Sequence, residues 1–517
     1  MQSFIQKYQK DVMGVLSGWD RVFIQGTQRA LANLAGMMSY LSYVGVLLKD
    51  FGSFVEETSE RIKTASEEAA QRLNRPVIYL KSCHVSKEDL VRKIALQEGI
   101  SEGLICILRC VEPGISYRIY SNRQQKKLIL KREPRQCLHY YHYWMDRDFG
   151  LMHARLQTWF PFDIQVCFNG RSWLARQMDK KSLGYEKREN CFAWLENVPA
   201  TQKLMDRLLK LNWPRFLGGI ARQINPLQKQ ILQGYRTDYY WSIHESEWAT
   251  DIMFRSIRAL DRIYPSLIRG AISAFSTRNV MRFLGKKPQG PYRTGEVISS
   301  YLRRPEGIRV KHSINRNSVK LYNKQGSVLR VETTINDPYE FKAFRPKEND
   351  PEGDWDWRYL RKGIADMHRR AEISHGVNGR YLEALSALDT ETPLKQLLGP
   401  VCRRCLWKGQ PVRALHPWSV TDQELLSVIS RGEYTINGFR NRDLVMALYP
   451  KSRGSTETRR QASGRVTRHL RLLRAHQIIR KVSGTHRYRL TQKGRQMVTA
   501  VLCYQSVSLQ QLNKLSA

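Results

Sequence analysis

The stretch SVKLYNKQGSVLRVETTIN, residues 318–336, places a tyrosine, two lysines, an arginine and a glutamate among regularly spaced apolar residues. A turn at Lys324-Gln325-Gly326, with Gly326 free to take positive φ, predicts a hairpin. That register sets Leu321 opposite Leu329 and Val319 opposite Val331, all on a core face. The other face then carries Ser318, Lys320, Tyr322, Val328, Arg330 and Glu332. Pairing the preceding strand across Arg316-Asn317 sets Ile314 opposite Val319 and His312 opposite Leu321, and adds Lys311 and Ser313 to the polar face. A phenol, a carboxylate and several cations on one surface are what phosphodiester cleavage by tyrosine needs. The phenol attacks phosphorus, cations lower its pKa and neutralise charge on oxygen, and the carboxylate holds a divalent metal such as Mg²⁺ or Mn²⁺. The same residues also describe a basic sheet surface with a structural tyrosine.

A second acidic group lies in YYWSIHESEWATD, residues 239–251. Read as a helix, it puts Glu247 and Asp251, four apart, on one face, where with Glu332 they would form a carboxylate metal site. Ser242 and Glu245 also fit a capping box, and Arg255 stands four residues beyond Asp251, so helix stability accounts for the same acids. In CLHYYHYWMDRDF, Cys137, His139, Tyr141 and Tyr143 fall on one strand face, and RLQTWFPF adds Trp159, Phe160 and Phe162. Beside Arg132, Arg135, Arg147 and Arg155 these rings could stack unpaired bases or fill a core. Cys402 and Cys405 form a single CxxC, with His416 the nearest further zinc ligand. No phosphate-binding glycine loop is present, which argues against ATP-driven work.

The order Tyr-Asn-Lys, then Arg-x-Glu on the next strand, resembles the plasmid rolling-circle replication initiators of the Rep_trans type. The resemblance covers residues 318–336 alone. It implies Tyr322 as nucleophile, Glu332 as a metal ligand, and Lys324 and Arg330 on phosphate. The His-hydrophobe-His metal motif of many other initiators is absent, since His139 and His142 are three apart.

The elements that must position these residues belong to a basic chain of 517 residues with 85 Lys plus Arg against 47 Asp plus Glu, a net charge of +38. Such an excess repels itself and points to a polyanion, DNA first and RNA second, rather than a membrane. A hydrophobic fraction of 42% excludes a disordered chain. Nine scattered cysteines fit a reducing cytoplasm better than a disulfide scaffold. The apolar run LANLAGMMSYLSYVGVLL at 31–48 is interrupted by Asn33, Ser39 and Ser42, so a buried helix is expected rather than a membrane span.

The charge concentrates at the C-terminal end, where residues 431–495 hold 17 Lys plus Arg and three acids. TDQELLSVISRG reads as a helix capped by Thr421 with Glu424, FRNRDLVMAL as a second, and RRQASGRVTRHLRLLRAH as a third with Val466, Leu470 and Leu473 inward. IIRKVSGTHRYRLT then alternates around Ser483-Gly484, and KGRQMVTAVL closes the unit. This order resembles the winged helix-turn-helix domain of bacterial regulators. The resemblance implies that Arg465, Arg468, Arg471 and Arg474 face a major groove while Arg487 and Arg489 grip phosphate.

The expected layout is multidomain α+β, with a mixed helical and antiparallel-sheet core and a C-terminal winged helix. Its expected parts are a helical region 1–75, an α+β domain 76–200, helices 201–289, hairpins and helices 290–400, a linker 401–419 and the winged helix 420–517, with no internal repeat. The function expected is a DNA-binding protein of a mobile element or replicon that nicks or transfers strands. A non-catalytic regulator and an RNA-guided metal-dependent nuclease component are the alternatives.

Overall fold

Val12–Gln28, read from sequence as part of a helical region, is instead the central strand of the molecule. Its glycines and β-branched residues disfavour helix. Gly14 and Gly18 serve packing: a Cβ on either would lie 2.5 Å from Val198 or 2.3 Å from Met205. The computed structural model describes residues 1–504 apart from 83–84, 236–237, 274, 276, 286–296, 348–349, 351, 389–393, 432–433, 435–437 and 451–455.

In chain order the core elements are α1 (Gln2–Lys7), β1 (Val12–Gln28), α2 (Leu34–Tyr43), α3 (Phe51–Arg72), β2 (Val77–Tyr79), α4 (Lys87–Gln97), β3 (Gly103–Asn122) and β4 (Lys127–Asp146). Then come β5 (Gly150–Gln157), β6 (Ile164–Asn169), α5 (Gly170–Asp179), β7 (Tyr185–Arg188), β8 (Cys191–Leu195), α6 (Val198–Arg207), α7 (Trp213–Ile224) and α8 (Gln228–Leu232). The second half holds β9 (Tyr239–Phe254), α9 (Ile257–Ser273), α10 (Thr277–Phe283), β10 (Val297–Arg304), β11 (Gly307–Ile314), β12 (Asn317–Lys324), β13 (Val328–Ile335) and α11 (Met367–Leu388). The chain is thus mixed α+β, as expected.

Eleven strands form one sheet in the order β10-β11-β12-β13-β9-β1-β6-β5-β4-β3-β2. Every neighbouring pair is antiparallel except β2 with β3. The order contains a topological repeat. A long strand, β1 or β9, leads through helices into a four-strand meander, β3–β6 or β10–β13, whose last strand returns beside it. The two long strands pair at the middle. No repeat is visible in the sequence because only connectivity is shared. The sheet also joins the segments 1–75, 76–200, 201–289 and 290–400 that composition separates.

Several local expectations change. Residues 239–251 are strand β9, not a capped helix. β3 runs without a break through Pro113-Gly114. Pro113 sits beyond the three residues that pair with β2, on a free edge where a missing N–H leaves no bond unmade. The turn between β12 and β13 is Gln325-Gly326-Ser327, with Gln325 and Gly326 both at positive φ, and Lys324 pairs with Val328. The register is therefore Leu321 with Val331, Tyr322 with Arg330 and Lys320 with Glu332, and between β11 and β12 His312 pairs with Val319. Both shifts move whole residue pairs, so the division into faces is the one expected. Ser86 caps α4, accepting from the Asp89 N–H at 3.4 Å.

One apolar core, with Leu16, Trp19, Phe168, Leu174 and Trp213, packs helices against the first half of the sheet. A second, with Ile252, Leu321, Leu329, Val331 and Val377, packs α9 and α11 against the second half. A third core holds the C-terminal elements α12 (Leu394–Leu398), α13 (Val420–Ile429), α14 (Asn441–Leu448), α15 (Thr456–Ala475), the hairpin Ile479–Lys481 with Tyr488–Leu490, and α16 (Gln492–Tyr504). Ser419, not Thr421, caps α13, accepting from the Asp422 N–H at 3.3 Å. The expected linker contributes Val401, Val412 and Leu415 to this core and forms a small hairpin, Cys405–Trp407 with Gln410–Val412. No helix among the described residues is long and apolar enough to cross a membrane, and α2 is a ten-residue helix with Met37, Tyr40 and Leu41 buried.

Candidate active site

β1 carries an irregularity opposite β9. Trp19 pairs with Trp248 and Val22 with Ser246, so Asp20 and Arg21 together face Glu247. A bulge of this kind turns both side chains towards one side of the sheet. Two strands away, β13 presents Glu332 beside β9. Asp20, Glu247 and Glu332 offer carboxylate oxygens that all lie within 4.8 Å of one another. Among the described residues this is the one such group of three or more metal-ligating side chains. Their relative exposures are 2%, 8% and 3%.

The surrounding groups fix the carboxylates tightly. Lys320 donates to Glu332 Oε1 at 2.5 Å and to Glu247 Oε1 at 3.2 Å. The Tyr322 hydroxyl donates to Glu332 Oε2 at 2.7 Å. Arg21 Nε lies 3.3 Å from Glu247 Oε2. Asn169, the N-cap of α5, and Asn190, between β7 and β8, both donate to Asp20 at about 3 Å. Arg330 is fully buried and forks between Asp251, at 2.5 and 2.9 Å, and Asp20, at 2.7 Å. Arg171 of α5 closes the cluster with a 3.0 Å contact to Asp251. Four carboxylates (Asp20, Glu247, Asp251, Glu332) thus face four cations (Arg21, Arg171, Lys320, Arg330).

Electrostatics divides the two glutamates. Burial raises the Glu332 carboxyl, but Lys320 and Arg330 with the hydrogen bonds from Lys320 and Tyr322 outweigh it and hold the group at about 2. Burial, then the Glu332 charge, pushes Glu247 up, against Lys320 and Arg21. Burial lowers Lys320, but the two glutamates outweigh it and the ammonium is held more firmly than usual. Burial and then Glu332 push the Tyr322 phenol well above its ordinary value. At neutral pH Tyr322 is therefore a phenol, held in place by its donation to the Glu332 carboxylate.

The structure redistributes the expected roles. It brings together Tyr322, Glu332, Glu247 and Lys320. The 247/251 spacing shares a face in a strand as it would in a helix, but Asp251 is engaged by Arg330 and Arg171 and stands outside the triad. Arg330 is not a surface phosphate contact, since its guanidinium is consumed by Asp20, Asp251 and the Asn190 carbonyl. Lys320 is held inside the cluster. Tyr322, read as exposed, is 7% exposed, with the Arg304 guanidinium 5.7 Å from its ring centre. Lys324 bonds Glu189 at 2.8 Å, tying the β7–β8 turn over the β12–β13 turn. Lys311 is half-exposed beside Lys320 on β11.

In the C-terminal part, Arg465, Arg468 and Arg471 are exposed on α15, and none has an acidic partner among the described residues. Arg474 lies over the Trp407 ring at 5.2 Å and Arg487 over Phe344 at 4.6 Å, while Arg489 is exposed. Tyr141 and Tyr143 are buried in an apolar cluster under α4. Cys405 lies 3.8 Å from His476, not His416, and no third ligand completes a site among the described residues.

Sequence reasoning missed Asp20, Arg21, Asn169, Asn190 and Arg171. One signal was available: Asp20-Arg21 is a charged pair inside an otherwise apolar, β-prone run. Three carboxylates form an all-oxygen donor set suited to Mg²⁺ or Mn²⁺. Comparison with protein-family models, with curated proteins and with solved structures finds no match to the chain.

Proposed function

We propose that the protein cleaves or transfers nucleic-acid strands, DNA first, at the Asp20–Glu247–Glu332 cluster. The observation that carries this reading is a buried carboxylate triad with a phenol hydrogen-bonded to one of its members inside a chain of net charge +38. A divalent cation held by the triad would neutralise charge on a phosphodiester oxygen. Tyr322 would be the nucleophile, oriented by its bond to Glu332. Its proton would pass to water as its oxygen bonds phosphorus, and the P–O bond to the leaving strand would break with that oxygen taking a proton from water. Arg21 and Lys320 would offset charge on the phosphate. The succession of α13, α14, α15, a two-stranded hairpin and α16 has the order of a winged helix, and the open arginines of α15 suit duplex phosphates.

A second reading rests on Lys320. Its ammonium already bridges Glu247 and Glu332, where a metal would otherwise sit between them. In that reading the lysine supplies the cation, and activity needs no metal. Nicking of supercoiled plasmid, with a denaturing gel for a covalent adduct, tests both. Loss of nicking and adduct in Tyr322→Phe supports the tyrosine route. Loss in Glu247→Gln but not in Tyr322→Phe assigns the attack to water. Activity that persists in EDTA favours Lys320. Full activity in Tyr322→Phe, Glu247→Gln and Asp20→Asn together removes the site.

A further inference from the structure

The face of the sheet that bears the triad continues into the first half. On β6, Asn169 bonds Asp20, while Asp163, just before the other end of the strand, is six residues away, about 20 Å. On β1, Arg21, Phe23 and Gln25 alternate on this face. Arg21 lies 5.3 Å from the Phe23 ring, and Phe23 meets His153 edge-on at 6.3 Å. A cationic and aromatic track therefore leads away from the carboxylates.

The track ends in a cavity of about 250 Å³ lined by Gln25, Gly114, His139, Arg155, Gln157 and Asp163 among others. Its polar groups are fixed. Gln157 spends its amide N–H₂ on the carbonyls of Ile115, Trp159 and Phe160, and its side-chain oxygen meets His139. Gly114 gives that oxygen room, since a Cβ there would lie 2.5 Å from it. His139 Nδ1 lies 2.9 Å from the Cys137 carbonyl and donates to it. Asp163 Oδ2 accepts from Gln25 at 2.9 Å, but no donor among the described residues reaches its buried Oδ1. Arg155 is anchored by Glu112 at 3.3 Å and is part-exposed, with donors to spare.

We infer that this cavity receives one unpaired guanine of the strand whose backbone is cut at the triad. Guanine presents two adjacent N–H donors and one carbonyl acceptor. The donors suit the Asp163 carboxylate, and the acceptor suits the Arg155 guanidinium. Adenine and thymine do not present that pair of donors, and hypoxanthine lacks the exocyclic amine. The size excludes a polymer segment, and the position fits a base a few nucleotides from the cut. The inference rests on the strand-cleaving reading and adds its sequence preference.

The test is anisotropy of short labelled DNA single strands with the full-length protein in EDTA. Each strand is all thymidine except for one central guanine, hypoxanthine or adenine. The guanine strand is expected to bind roughly tenfold tighter than the other two, the discrimination of one bidentate contact. Asp163→Asn, which replaces one carboxylate oxygen by a donor, is expected to abolish the preference while the all-thymidine strand binds as before. Equal binding of the three strands by the wild-type chain overturns the inference and leaves strand cleavage standing, and this needs no variant. An undiminished preference in Asp163→Asn also overturns it. Failure to bind any strand overturns the cleavage reading with it. Free dGMP is expected to compete poorly. Displacement of the guanine strand by an equal concentration of dGMP assigns the cavity to a free nucleotide and overturns the strand-borne part.

Discussion

Asp163→Asn should stabilise the protein, and the amount follows from the site. Burial pushes the Asp163 carboxyl up to about 6, against Arg132, Arg155 and the hydrogen bonds from Gln25 and Thr27. An aspartate in an unfolded chain titrates near 3.9, so the shift is about two units, or about 3 kcal/mol at the upper limit. The side chain is half-buried, and solvent screening brings the figure to about 2 kcal/mol. Between pH ~4 and ~6 the folded chain keeps this proton and the unfolded chain releases it. Stability therefore falls as pH rises through that window and the penalty is complete above it. Asparagine cannot ionise, and its carbonyl still accepts from Gln25. Urea unfolding of both chains at pH 4, 6 and 8 should give curves that coincide at pH 4 and separate to about 2 kcal/mol in favour of the variant at pH 8. A gap that does not change with pH, or a wild type more stable at pH 8, would refute the argument. A residue whose removal stabilises the fold is retained for something other than stability.

Tyr322→Phe removes a buried donor to Glu332 and should lower stability by about 1–2 kcal/mol in urea unfolding, more than an exposed hydroxyl would. Arg330→Met leaves Asp20 and Asp251 buried with one cation fewer and should cost about 3–5 kcal/mol, read as a fall in the thermal midpoint. Arg468→Ala with Arg471→Ala should weaken duplex DNA binding several-fold at moderate salt while stability stays within about 0.5 kcal/mol, since both side chains are exposed. Asp422 resists its burial through bonds from Arg413 and the His416 N–H, which hold it below the usual carboxylate range. Its contribution is present above pH ~4 and lost as pH falls further, so Asp422→Asn should flatten the acid side of the stability profile.

The faces of the 318–336 hairpin were legible because strand alternation survives a slip by whole pairs. Tyr322, Lys320 and Glu332 were placed together although each cross-strand partner was misassigned by two residues. Glu247 was found through the wrong element, because a spacing of four shares a face in helix and strand alike. Asp20 was not legible. Its partners Glu247 and Arg330 lie more than 200 residues away, and only a β1–β9 pairing that no local pattern encodes brings them in. The same pairing hid the single sheet, so composition alone split one structural unit into four. In the C-terminal part, Val466, Leu470 and Leu473 are inward as helical spacing requires, since that cluster is built from neighbours in sequence.

The placing of the carboxylates on β1, β9 and β13 has a consequence during biosynthesis. A nascent chain that has emerged as far as β8 carries one of the three, and one halted before β13 carries two. The Asp20–Arg330 contact spans 310 residues and closes only after nearly two thirds of the polypeptide exists. Translation products truncated before Glu332 thus lack the complete cluster however well their helices form. On the proposed strand-cleaving reading, a cell is shielded from such incomplete copies by the order in which the ribosome delivers the strands.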